Sequence, residues 1–234
     1  MFNCKKLIVV RLQNFVNCLI KYKKMLTGEK GLMENTSLSL FGENEFNKDV
    51  LSLFYGGRTL VLDDEITPDI LQDIVIHILQ WNKDDKDIPC DKREKIKLLI
   101  DSDGGSAISA INLIDVIENS KTPVIGIAFS VAASAASSIL IACKERYGFK
   151  HSVVLIHDGS VFVGNSGNKA KQTMAFLDRV DEINKELILA RTKITEEEFE
   201  ANKEKEQYMF ANEAKEKGII DGIIGIDIDL DDIL

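Results

Sequence analysis

Short β-branched runs alternate with helical patterns of apolar residues through the middle of the chain. The pattern predicts strands at 58–65, 96–102, 123–129 and 152–157, and helices at 67–81, 106–119 and 134–145. Strands that alternate with helices are joined by right-handed crossovers and build a mainly parallel sheet with both faces covered. We therefore predict an α/β fold made of alternating β-α units.

The first helix and the polar stretch after it differ in pattern. Thr67 is placed as the N-cap, and the apolar stripe of this helix is expected to face the core; it comprises Ile70, Leu71, Ile74, Val75 and Ile78. Residues 82–94 are rich in charges of both signs. We interpret them as an enlarged loop whose charges only solvate it.

The last third of the chain predicts a long amphipathic helix at 168–192. Its apolar stripe comprises Met174, Leu177, Val180, Ile183 and Leu187. Thr195 and Glu198 form the pattern of a capping box for a short helix that runs through Glu206. A further helix that ends at Gly218 and a last short strand close the domain, and an acidic, frayed tail is expected after them.

Composition changes this picture mainly by exclusion. The 234 residues are 45% hydrophobic and 29% charged, which is ordinary for a globular domain, and the net charge of −9 argues against a nucleic-acid partner. The four cysteines show no C-x-x-C and no metal-ligand spacing with the three histidines. We expect reduced thiols in a cytoplasmic protein, with a disulfide as the minority alternative, and no metal or other cofactor.

The amino-terminal residues differ in charge from the remainder. Residues 1–33 hold seven basic residues and one acidic residue. We divide the chain into a basic extension at 1–33 that is disordered or not native, a linker at 34–57, a domain at 58–226 and an acidic tail at 227–234. Translation from Met33 and a membrane-surface helix are the alternatives for the extension; a secretory signal fits poorly, and no membrane span is expected.

Ser134 is the candidate nucleophile, because it lies where a buried strand passes into an alanine-rich helix. The first amides of a helix have no internal partner and can donate to an oxygen that gains negative charge. Two further segments support this interpretation. One is the strand and glycine turn L-L-I-D-S-D-G-G-S, and the other is the strand V-V-L-I-H that ends at His157.

These three segments resemble the proteolytic subunit of the Clp protease family, in order and approximate spacing, over roughly residues 50–225. The resemblance implies a serine peptidase in stacked rings that cleaves unfolded polypeptides, an ATP-driven unfoldase as partner, and a long helix that interlocks two rings. It implies Ser134 as nucleophile and His157 as base, and places Glu206 where the family has an aspartate. Amides of Gly104, Gly105 and Ala135 are the candidate oxyanion donors.

Several assignments have competitors. Asp178 and Asp181 on the long helix are the rivals of Glu206 as the acid that orients the base. His77 and His151 compete with His157, but His77 is expected at the surface or the boundary of its helix and His151 in solvent. Ser130 replaces a glycine that the family usually has, which puts the tightness of a turn there in doubt.

Two other classes of function stay open at this point. The first is a catalytically weak or inactive ring subunit that scaffolds an active paralogue or a capsid-type assembly, which the departures from the family pattern favour. The second is a related crotonase-like or signal-peptide-peptidase-type fold. No phosphate-binding or membrane-spanning feature of the sequence supports it. The divergence also fits a phage or prophage copy, and no G-x-x-x-x-G-K-[ST] is present to bind nucleotide.

Overall fold

The computed structural model describes residues 57–159 and 166–233. The predictions for residues 1–33, and for nearly all of 34–57, lie outside this part of the chain. The described strands are β1 (Thr59–Leu62), β2 (Ile96–Ser102), β3 (Val124–Ala133), β4 (Glu145–Phe149), β5 (Val153–Ile156), β6 (Gln207–Phe210) and β7 (Gly222–Ile224). The described helices are α1 (Pro68–Asp84), α2 (Ala107–Asn119), α3 (Ala135–Ala142), α4 (Gly167–Arg191), α5 (Glu196–Asn202) and α6 (Ala211–Glu216).

A mostly parallel sheet organises these elements in the order β1-β2-β3-β4-β7. Strand β3 is long enough to have two partners: Ile125–Ala128 pairs with β4, and Val131–Ala133 pairs with β5. Strand β6 then pairs antiparallel with β5. The prediction of an α/β fold with a mainly parallel sheet is confirmed, and the division of β3 brings its end beside the end of β5.

The core lies between the sheet and the helices packed on it. Every residue of α3 is buried, and this helix contacts both α2 and α4. Fully buried side chains include Leu62, Ile78, Ile127, Leu140 and Ile188. Because α3 follows Ser134 directly, the segment that carries the candidate nucleophile is anchored by one of the most buried elements of the described chain.

Two of the described strands, β4 and β6, were not predicted from the sequence pattern. The helix predicted at 134–145 ends at Ala142, and β4 begins three residues later with the sequence E-R-Y-G-F. Strand β6 lies where the pattern gave no strand, with Met209 buried and Tyr208 and Phe210 exposed. Both strands are only partly buried, so neither shows the continuous apolar run that marks a covered parallel strand.

The interpretation of 82–94 as a merely solvated loop is wrong for two of its charges. Helix α1 continues to Asp84, and the next residue, Asp85, is buried. Its carboxylate accepts two hydrogen bonds from Arg58, at 2.5 and 2.8 Å, and one from Thr122 at 2.9 Å. The buried Arg93 donates to the carbonyl of Ile88 at 2.9 Å. The Arg58 bonds fasten the loop to the start of the domain, the Thr122 bond ties it to the segment before β3, and the Arg93 bond lies within the loop.

The carboxyl-terminal residues are also better ordered than expected. The Asp227 carboxylate accepts a hydrogen bond from the amide of Ile223 at 2.8 Å and one from Lys215 at 2.6 Å. A short 3-10 turn spans Leu230–Asp232, and the following Ile233 is buried. The expectation of a frayed tail is therefore wrong for residues 227–233.

Candidate active site

Ser134 occupies a strained turn between β3 and α3. Its backbone angles are φ 54° and ψ −126°, and it shares a positive φ with Arg58 alone among the described non-glycine residues. Such a conformation costs of the order of 1–3 kcal/mol and persists only where the surroundings fix it. Here the amide of Ser134 donates to the carbonyl of Leu155 at 2.9 Å, and its carbonyl accepts from the amide of Ser137 at 2.9 Å.

His157 and Glu206 are in contact, with 2.9 Å between Nδ1 and Oε1. Strand pairing explains why residues so far apart in sequence meet. Ile156 and Gln207 are the last register pair between β5 and β6, and the antiparallel arrangement makes His157 and Glu206 the next pair outward. The other histidines are placed differently: His77 contacts the carbonyl of Asp73 at 2.6 Å, and His151 is exposed.

The contact between His157 and Glu206 constrains the imidazole. A carboxylate can only accept a hydrogen bond, so the contact favours the tautomer of a neutral imidazole in which Nδ1 carries the hydrogen and Nε2 is the acceptor. The His157 side chain is 20% exposed and the Glu206 side chain 56%. Because water screens the pair, the contact between His157 and Glu206 contributes little to the free energy of unfolding. Its main effect is to orient the imidazole ring.

Ser134 and His157 line one cleft, whose volume is about 1040 Å³. The cleft is also lined by Gly105, Ala135, Asp178 and Asp181. Within the described residues no hydrogen bond joins the Ser134 hydroxyl to the His157 ring. His157 and Glu206 are thus in direct contact, and Ser134 lines the same cleft as His157 without a hydrogen bond to it in the described chain.

Of the three candidate oxyanion donors, Gly104 has an amide that is already bonded, whereas the amides of Gly105 and Ala135 are not bonded within the described part of the chain. The Gly104 amide donates to Ser102 Oγ at 3.1 Å, so the expectation that Gly104 supplies a donor does not fit. A Cβ on Gly104 would lie 2.7 Å from the carbonyl oxygen of Ala133 and 2.8 Å from Ser134 Cβ, at a φ of 103°. Gly104 is therefore required for close approach to the nucleophile turn.

Gly105 and Ala135 remain candidate oxyanion donors. Both line the cleft, and neither amide donates a backbone hydrogen bond to another described residue. Ala135 is the first residue of α3, where the amide has no partner within the helix. Ser102, which engages the Gly104 amide, was missed in the sequence; a serine two residues before a glycine is the signal of a side-chain turn that could have indicated it.

The rival acids lie in the cleft but do not hold the base. Asp178 and Asp181 both belong to α4 and are exposed, and no hydrogen bond to His157 is found for either in the described chain. Desolvation, followed by repulsion from the charge of Asp158, raises the pKa of Asp181 above its ordinary value. The geometry thus selects Glu206 over both rivals as the residue in contact with the imidazole.

Ser130 does not lie in a turn. It is an exposed residue within β3, and its φ is not positive, so no glycine is needed there. The doubt that its replacement of glycine raised therefore has no structural basis. The tight turn of this region lies four residues later, at Ser134.

The two described cysteines are both free thiols, with Cys90 exposed and Cys143 buried. Burial raises the pKa of the Cys143 thiol to about 12, which leaves it unreactive behind α3. Residues 57–159 and 166–233 contain no group of three or more His, Cys, Asp or Glu side chains that could hold a metal ion.

The fold and the cleft are those of an α/β protein with a ligand site at one edge of its sheet. Candidate residues gather at the carboxyl ends of parallel strands, as in α/β proteins that bind ligands at the edge of an open sheet. A family model described as Clp protease matches residues 42–227. The chain belongs to the Clp protease family, a family of peptidases, which confirms the resemblance seen in the sequence. None of the helices in the described part is long and apolar enough to cross a membrane.

Proposed function

We propose that the protein is a serine endopeptidase of the Clp type, with Ser134, His157 and Glu206 as its catalytic residues. The observation that carries this proposal is the 2.9 Å contact between His157 and Glu206 beside the cleft that Ser134 lines. Membership of a peptidase family supports the reaction class, and the geometry supports the assignment of roles.

The chemistry follows from these positions. His157 Nε2 accepts the proton of the Ser134 hydroxyl as Oγ bonds to the carbonyl carbon of the scissile peptide. The imidazolium then gives that proton to the amine nitrogen as the C–N bond breaks, which leaves an acyl-enzyme. A water molecule, deprotonated by the same nitrogen, attacks the acyl carbon, and the proton returns to Oγ as the acid product departs.

The charge that forms on the substrate oxygen needs donors that are fixed in advance. The amides of Gly105 and Ala135 are the candidates, because both line the cleft beside Ser134. Two amides directed at a developing oxyanion account for a large part of catalysis in acyl transfer, about 10²–10³-fold for each donor.

Family membership supports the remainder of the proposal. Clp family members form rings and act with unfoldase partners, so we extend the proposal to a chamber of stacked rings in the cytoplasm that degrades unfolded polypeptides supplied by an ATP-driven unfoldase. The substrate is a polypeptide chain, and neither a cofactor nor a nucleic acid takes part.

A second candidate function is a ring subunit with little or no activity. Two observations favour it: Glu206 is largely exposed, and no hydrogen bond connects the described Ser134 and His157 side chains. A subunit of this kind would assemble with an active paralogue without cleaving peptides itself.

The experiment that separates the two is covalent labelling of the purified oligomer with a fluorophosphonate. We expect one adduct per chain on Ser134, found by peptide mass mapping, as Oγ bonds to phosphorus and fluoride leaves. Ser134→Ala should abolish labelling and peptide hydrolysis and leave the oligomer intact. Ser130→Ala is the matched control, since it removes an exposed serine from β3, the strand that precedes Ser134, and should label normally. An assembled wild-type protein that never labels would support the inactive subunit.

A further inference from the structure

We propose that Ser137 is a positioning residue whose hydroxyl orients the Ala135 amide, one of the two candidate oxyanion donors. This inference rests on the proposed function and adds to it a residue that lines the same cleft and acts on the donor through the backbone. It comes from the hydrogen bonds around the carbonyl of Ser134, which together fix the plane of one peptide group.

The Ser134 carbonyl accepts an unusual set of hydrogen bonds. The Ser137 hydroxyl donates to it at 2.7 Å, and the Ser137 amide donates at 2.9 Å. The amide of Ser138, which would supply the regular i to i−4 bond of an α-helix, is 3.4 Å away. The regular bond is therefore stretched, and the Ser137 side chain supplies the shortest bond in its place.

The peptide plane transmits this constraint to the cleft. The carbonyl of Ser134 and the amide of Ala135 belong to the same planar peptide unit, so a bond that fixes the direction of the oxygen also fixes the direction of the N–H. Ala135 lines the cleft beside Ser134. The Ser137 hydroxyl thus acts on the oxyanion donor through the backbone.

The strain at Ser134 makes such a constraint necessary. With φ at 54° and ψ at −126°, the residue would gain free energy by rotating toward an ordinary conformation. Its amide is held by the carbonyl of Leu155 at 2.9 Å. The Ser137 bonds hold the other side, and Ser137 itself is only 2% exposed, so water does not readily replace the hydroxyl.

Ser138 offers a matched control for the loss of a buried hydroxyl. It is the next residue of α3, and like Ser137 it is buried and lines the cleft, but its hydroxyl donates to Asn184 Oδ1 of α4 at 2.5 Å. Ser137→Ala and Ser138→Ala therefore remove the same group from adjacent positions, and only the first removes a hydrogen bond to the carbonyl of Ser134.

The test is the kinetics of fluorophosphonate labelling in the assembled wild-type, S137A and S138A proteins. We expect S137A to lower the maximal rate of labelling by about 10-fold, because a misdirected donor costs part of the 10²–10³-fold that a lost donor costs. The probe concentration for half-maximal rate should change less than about 2-fold. The pH dependence of labelling should keep its shape, because the bond between His157 and Glu206 is untouched.

Each outcome decides between the possibilities. S138A labelling at nearly the wild-type rate, with S137A slowed, supports the inference. S137A labelling as fast as wild type overturns it and leaves the proposed function intact. Equal slowing in both variants, with equal losses of thermal stability, shows a purely structural effect and also overturns it. A wild-type protein that does not label overturns the proposed function itself.

Discussion

Two carboxylates in this domain, Asp85 and Glu206, each contact a basic side chain but differ in how deeply they are buried. Asp85 meets Arg58 at 2.5 Å, with side-chain exposures of 2% and 15%. Glu206 meets His157 at 2.9 Å, with exposures of 56% and 20%. Asp85 also accepts a hydrogen bond from Thr122, whereas the His157 contact is the one hydrogen bond found for Glu206 in the described chain.

The difference in burial assigns the two pairs to different tasks. Removing one partner of a buried pair leaves an uncompensated charge away from water, which destabilises the fold strongly. Water replaces the missing partner of an exposed pair, so little stability is lost. We infer that the contact between Arg58 and Asp85 stabilises the domain, while the contact between His157 and Glu206 serves orientation of the ring.

The largest expected effect is on stability, in Asp85→Ala. The change removes the carboxylate that accepts from Arg58 and Thr122, and it leaves the guanidinium with the carbonyl of Glu94 at 3.1 Å and the exposed Glu94 carboxylate at 3.5 Å. We expect the free energy of unfolding to fall by about 3–5 kcal/mol in urea titrations. Asp84→Ala, which removes an exposed carboxylate one residue earlier, is the control and should lie within about 0.5 kcal/mol of wild type.

The contrast between the buried and the exposed pair requires that Asp85→Ala lose more stability than its control. An Asp85→Ala protein as stable as the Asp84→Ala control would show that the buried network contributes nothing. Folded Asp85→Ala protein should still label with fluorophosphonate at the wild-type rate, because Asp85 is not among the residues that line the cleft.

The second effect is on activity, in Glu206→Ala. Without its acceptor, Nδ1 no longer fixes the tautomer and orientation of the imidazole. A buried triad acid is worth about 10⁴-fold in turnover, and the exposure of Glu206 reduces this to about 10²-fold. Labelling rates of Ser134 measure the loss, and the free energy of unfolding should change by less than about 0.5 kcal/mol.

The controls for Glu206 separate charge from position. Glu204→Ala removes an exposed acid two residues earlier and should label at the wild-type rate. Glu206→Gln keeps the shape of the side chain but can present an N–H to the ring, so it should be slowed as well. Unchanged labelling in Glu206→Ala would move the acid to another residue, with Asp178 and Asp181 as the first to test.

Much of the fold could be predicted because its strands are apolar and covered. The run I-K-L-L-I-D-S matches β2 over its full length, and the long helix is displaced from its predicted range by one residue at each end. Strands β4 and β6 could not be found in this way, since E-R-Y-G-F and Q-Y-M-F are only half buried. Their pairing depends on neighbours that are distant in sequence.

The same distinction, between local sequence patterns and contacts made only on folding, applies to the candidate site. Ser134 and His157 stand at strand ends that local patterns reveal, and Glu206 was placed by resemblance alone. What local patterns could not reveal are bonds set by tertiary contact. Asp85 lies 27 residues from Arg58, so a stretch that looks solvated in sequence becomes buried only after folding.

The smallest expected effect is the dependence of stability on pH. The hydrogen bond from Arg58 lowers the pKa of Asp85 below its ordinary value of about 3.9. The stabilisation is therefore complete only well above the ordinary pKa of an aspartate and is lost as the pH falls through the lowered pKa of the folded state. On acidification from pH 5 to pH 3, Asp85→Asn should lose less stability than wild type in urea titrations.

Asp181 provides a control of opposite sign for this measurement. Its pKa is raised in the folded state by desolvation and by the charge of Asp158, so the folded protein binds its proton more readily than the unfolded chain. Acidification then stabilises the fold through Asp181, and Asp181→Asn should lose stability more steeply than wild type. Slopes that change in the same direction in both variants would contradict the assignment of Asp85 to the buried, ionised partner of Arg58.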